Sequence, residues 1–139
     1  MKYLKLFEDY SNSKNLEQLF LENGFDNDDI YELNQERYFD DIEYFDENTL
    51  IVYRAIEVLN DDYMDCEYIG EYWSFSKNIY PIWRNDDGDE YYDVRCKGFL
   101  KLEDIDFRRV MIAYKDDFHN FCDEKEIRGN IKIIECVKL

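Results

Sequence analysis

The sequence predicts an α+β domain: an acidic, mainly helical segment over residues 1–49, then a β-rich unit over residues 50–139. Three observations carry this. Apolar residues recur at helical spacing near the start, a near-continuous apolar run of strand length begins at Leu50, and the later apolar stretches break at turn residues. With 139 residues, an apolar share of 45%, 13 Tyr and 10 Phe, the chain can bury a core without staples despite a formal charge of −17.

The first helix is expected over NLEQLFLE, residues 15–22, where Leu16, Leu19 and Phe20 share a face and Asn23-Gly24 supplies a stop. A second runs from Asp28 to about Phe39, with Ile30, Leu33 and Tyr38 inward. LIVYRAIEV, Leu50 to Val58, reads as a largely buried strand with Arg54 at its middle. A guanidinium there needs an anion from the protein or from a ligand. GEYWSFSKNIYPIW, Gly70 to Trp83, is interrupted at Pro81, and Asp86-Asp87-Gly88 marks a turn. Tyr91 to Cys96 and Gly98 to Leu102 read as two strands joined by a tight turn, and FRRVMIAY, Phe107 to Tyr114, as another strand. Glu124 to Arg128 then leads through Gly129-Asn130, a two-residue hairpin signal, into IKIIECVKL, which alternates with one slip at Ile133-Ile134.

Charge narrows the function. Residues 1–50 hold 14 acidic and 4 basic side chains and residues 51–139 hold 20 and 13, so both parts are anionic. Direct binding to nucleic-acid phosphates or an anionic membrane needs a cationic footprint that this chain lacks. No G-x-G-x-x-G or P-loop is present. Cys66, Cys96, Cys122 and Cys136 show no paired spacing, and the one imidazole near them is His119, so no metal is expected. MKYLKLFEDY meets charge before an apolar stretch can form, which points to a reducing, cytoplasmic setting with buried thiols.

DEKEIRG, Asp123 to Gly129, sets two glutamates one residue apart where the chain turns apolar. If extended, Glu124 and Glu126 share a face roughly 7 Å apart. Their repulsion is then on the order of 2 kcal/mol at an effective dielectric of about 20. One explanation is a solvated rim; the other is a catalytic carboxylate pair.

In chain order stand Arg54 in VYRAI (Val52 to Ile56), Ser74 and Ser76 in YWSFS (Tyr72 to Ser76), and Glu124 and Glu126 in EKEI (Glu124 to Ile127). This constellation resembles the Arg-Ser-Glu class of mono-ADP-ribosyltransferases, which includes the cholera-like and clostridial actin-modifying toxins. The resemblance spans roughly residues 50–137, and Phe75 stands where the class carries Thr. It implies a split two-sheet β-sandwich with NAD⁺ in the cleft as co-substrate, and transfer of ADP-ribose to a macromolecular acceptor, a basic protein, as by a bacterial or phage effector. It also implies the roles. Glu126 faces the ribose as a positive charge grows there, Glu124 orients the acceptor, Ser74 holds Glu126, and Arg54 meets the phosphates. Tyr72, Trp73 or Tyr80 would stack on nicotinamide, with Ser76 lining the same cofactor site. Hydrolysis of NAD⁺ without transfer would use the same site.

A second class stays open: a non-enzymatic acidic mimic of nucleic acid that blocks a basic DNA- or RNA-binding protein, such as a host-defence enzyme. The doublets Asp28-Asp29, Asp40-Asp41, Asp61-Asp62, Asp86-Asp87 and Asp116-Asp117 motivate it, although each also reads as a solvated turn. A glycoside hydrolase ranks lower, because its two carboxylates must flank a sugar and one short strand does not supply that.

Overall fold

A computed structural model describes residues 15–59, 73–78 and 91–138. Helix α1 covers 15–22, as its periodicity predicts, and buries Leu16 and Phe20. Helix α2, Asn27–Gln35, starts on a reciprocal cap in which the carboxylates of Asp26 and Asp29 each accept from the other's amide. It stops short of the expected Phe39. Arg37 takes a left-handed φ of 58°, and the amides of Arg37 and Tyr38 donate back to the carbonyls of Asn34 and Leu33. This closure swings Tyr38 into the core, where it is fully buried against Phe20, Phe39, Phe75 and Phe121.

The strands are β1 (Glu43–Asp46), β2 (Thr49–Leu59), β3 (Trp73–Ser74), β4 (Tyr91–Lys101), β5 (Glu126–Ile127) and β6 (Lys132–Lys138). Among the described residues they make one six-stranded antiparallel sheet, not two, ordered β5-β3-β2-β4-β6 with β1 beside the start of β2. The α+β class therefore holds. The boundary read between residues 49 and 50 falls just inside β2, and one hydrophobic core runs across it, joining Phe20 and Leu33 to Leu50 and Val52.

Three expectations are corrected. Tyr91–Lys101 is a single strand, paired residue for residue with β2, and Gly98 is there to admit its neighbours: a Cβ would stand 3.2 Å from Trp73 Cζ3 and collide with the Ile131 side chain. FRRVMIAY is helix α3, Phe107–Asp116, not a strand; Phe107, Val110, Met111 and Tyr114 follow helical spacing, and the Asp106 carboxylate caps it from the Arg109 amide. Gly129-Asn130 makes no hairpin, since β5 and β6 lie at opposite ends of the strand order. Gly129 instead bridges to Ile105 where the chains approach too closely for a side chain, with Leu100 Cδ1 2.6 Å from a hypothetical Cβ. The slip expected at Ile133-Ile134 is present: Lys97 pairs with Glu135 and Gly98 with Ile133, leaving Ile134 as the extra residue.

Helix α4, Phe118–Asp123, follows α3 and buries Phe121 and Cys122. Direct strand partners share a face, so the register sorts the sheet into two sides. Leu50, Val52, Val94, Cys96, Leu100, Trp73 and Ile127 lie in the core that the helices cover. The opposite face carries a row of direct partners across five strands: Glu126, Ser74, Tyr53, Lys97 and Glu135. No helix among the described residues is long and apolar enough to cross a membrane. Pro81, Tyr72, Tyr80, Cys66, Asp61-Asp62 and Asp86-Asp87-Gly88 lie outside the described residues.

Candidate active site

Ser74 and Glu126 meet as direct partners on adjacent strands β3 and β5, and both are buried. Local chemistry fixes the pair. The Ser74 hydroxyl donates to the Glu124 carbonyl and accepts from the Ser76 amide at 2.9 Å, while the Phe75 amide donates to the Lys125 carbonyl at 3.1 Å. From the other side, the Tyr38 hydroxyl donates to the Glu126 carbonyl. Lys125 Nζ donates to the Arg37 carbonyl at 2.8 Å and lies 3.1 Å from Asp41. Both helix-ending turns, at Arg37 and at Lys125, thus converge on one glutamate.

The Glu-Lys-Glu stretch is not extended, contrary to the expectation that both carboxylates ride one strand. Glu124 caps α4 with near-helical angles, Lys125 takes a left-handed φ of 50°, and the strand starts only at Glu126. The two glutamates still feel each other. Burial, then the negative charges of Glu126, Asp117 and Asp123, raise the Glu124 carboxyl above its ordinary value. Burial likewise raises Glu126, with Arg128, whose guanidinium lies 3.5 Å away, pulling back. Ser74 does not hold the Glu126 carboxylate directly, as the resemblance implied; it anchors the turn that delivers it.

Arg54 does not join this pair. Tyr53 is the partner of Ser74, so Arg54, the next residue of β2, projects from the other face, alongside Cys96, its partner on β4. Trp73 also faces the core, at 4% exposure, and is not placed to stack on a ligand beside Ser74. Besides Arg128 at Glu126, a second guanidinium on the Ser74 side is Arg95. It reaches across β2 to donate to the Lys77 carbonyl at 3.1 Å, directly after the Ser-x-Ser segment, and lies 6.0 Å from the Tyr53 ring centre. Tyr53 is buried and its hydroxyl donates to Glu43 at 3.3 Å. Arg95 was missed in the sequence because Y-D-V-R-C alternation shows it opposite to Val94 and Cys96 but not which strand it lies beside.

Ser74, Glu126 and Arg95 thus share one face of the sheet, and Arg54 lies on the other. Among the described residues no three His, Cys, Asp or Glu side chains gather as a metal site. No family model matches the chain, and no curated protein or solved structure matches it.

Proposed function

We propose that the protein transfers ADP-ribose from NAD⁺ to a macromolecular acceptor, with Glu126 as the carboxylate that faces the ribose. The observation that carries this is the direct pairing of Ser74 with Glu126 on neighbouring strands, with the Arg95 guanidinium on their face. NAD⁺ supplies the nicotinamide leaving group. The chain's own residues do the rest. Glu126, positioned by three backbone ties and kept ionised by Arg128 against the pull of burial, favours positive charge developing on the sugar. Arg95 spends one of its five donors on Lys77 and keeps the others for phosphate. Glu124, partly buried and with a raised carboxyl, stands one turn away to accept a proton from the acceptor group.

The test is nicotinamide release and label transfer from NAD⁺ in the presence of basic proteins. Glu126→Gln keeps size and burial but removes the charge, so turnover falls about 10²- to 10³-fold. Unchanged turnover in that variant removes Glu126 from the mechanism.

A second reading rests on a different surface. Asp28, Glu32, Glu36, Asp40 and Asp41, on α2 and the turn after it, are all exposed, and Arg37 is the basic residue among them. Such a face suits a decoy for a basic nucleic-acid-binding protein. It predicts tight, salt-sensitive binding to that target with no nicotinamide release.

A further inference from the structure

The core-facing row of the sheet ends in two thiols that the Ser74 and Glu126 face does not use. Cys96 on β4 and Cys136 on β6 are direct cross-strand partners, and their sulfurs stand 2.8 Å apart. The backbones of such partners lie about 4.5–5.5 Å apart, inside the range that an S–S bond of about 2.05 Å spans without backbone movement. Their environments differ. Cys96 is fully buried, whereas Cys136, on the strand that ends the order among the described residues, is partly open to solvent.

We propose that Cys96 and Cys136 form an oxidisable dithiol that closes to a cross-strand disulfide when hydrogen peroxide reaches Cys136. The Cys136 thiolate attacks a peroxide oxygen, the O–O bond breaks, and hydroxide leaves to give a sulfenic acid. The Cys96 sulfur then attacks the Cys136 sulfur; the S–S bond forms, the S–O bond breaks, and water leaves with the Cys96 proton. Two thiols are oxidised by two electrons and the peroxide is reduced to water. Arg54, the β2 partner of Cys96, sets a positive charge on the same row, which helps the Cys96 sulfur give up its proton as it attacks. The product ties β6 to its neighbour β4.

Among the described cysteines, Cys122 is set apart from this pair. Cys122 sits in α4 away from this row, and burial, followed by the charges of Glu36, Asp123 and Glu32, pushes its thiol up to about 12. It stays protonated at neutral pH and reacts slowly.

The test treats the full chain with hydrogen peroxide, alkylates remaining thiols after denaturation, and maps the peptides without reductant. The thiol count falls from 4 to 2, one linked peptide pair contains Cys96 and Cys136, and dithiothreitol restores both. In Cys136→Ser the link disappears and Cys96 remains alkylatable. A Cys136 that advances to sulfinic acid beside an intact Cys96 thiol overturns the proposal, as does a wild-type map in which both remain thiols. Nicotinamide release plays no part in this readout, so its result stands apart from the fate of the transferase.

Discussion

Glu126 shows how much of a side chain's character its backbone decides. Its carbonyl is tied by Tyr38 and the carbonyls just before it by Ser74 and the Phe75 amide, so the carboxylate is delivered to one place and partly stripped of water. The consequence for stability has a definite sign. Glu124 and Glu126 both have carboxyls raised above 4.5, so the native state binds their protons more tightly than the unfolded chain does. From these two groups, stability is greatest in acid, declines as pH rises from about 4.5 through the raised native values, and is flat above them. In urea titrations across that window, wild type should lose stability relative to the Glu124→Gln/Glu126→Gln double variant. A difference that does not change with pH would place both carboxylates in water. The sequence made Ser74 and Glu126 legible because each sits in a short polar motif inside an apolar stretch. It did not make legible that Arg95 shares their face and Arg54 does not. Face is set by register with a distant strand.

At the level of elements, local pattern succeeded where one period dominated. Leu16, Leu19 and Phe20, or the Leu50 to Val58 run, admit one interpretation each. FRRVMIAY did not, because a short apolar stretch with Val and Ile satisfies a strand until Phe107, Val110, Met111 and Tyr114 are counted at helical spacing. Gly129 misled for another reason: its glycine serves close approach to the Asp104 and Leu100 region and not a tight turn. Gly129→Ala should therefore destabilise by about 1–3 kcal/mol, as overpacking does, in denaturant midpoint measurements. A hairpin glycine with open space would tolerate it. The end of α2 gives the opposite prediction. Arg37 holds a left-handed φ of 58°, a strain of roughly 1–2 kcal/mol for an L-residue, and its hydrogen bonds with Lys125 and Asn34 use its backbone atoms. Arg37→Gly relieves the strain, keeps those bonds, and should stabilise by about 0.5 kcal/mol after the entropy of glycine is subtracted. A loss of stability would mean that the Arg37 side chain carries more than the turn.

Across the whole molecule, residues 15–49 share one hydrophobic core with the sheet. Phe20 meets Phe25, Tyr38, Phe39 and Phe107 ring to ring, and Tyr114 of α3 donates to Asp29 and Glu32 of α2. The aromatic residues, dispersed through a strongly charged sequence, are what overcome its self-repulsion. They also make a rigid back for the Ser74 and Glu126 face, through the Tyr38 hydroxyl. Under the proposed transfer, the acidic surface favours a basic acceptor, since such a field draws cations inward. Heat unfolding of wild type and Arg95→Ala, each with and without millimolar NAD⁺, examines that face most directly. Wild type should be stabilised, by about 2.7 kcal/mol when NAD⁺ reaches about 100 times its dissociation constant, and Arg95→Ala should lose most of the gain. A wild-type protein whose unfolding is unmoved by NAD⁺ would mean that Ser74, Glu126 and Arg95 do not form a dinucleotide site.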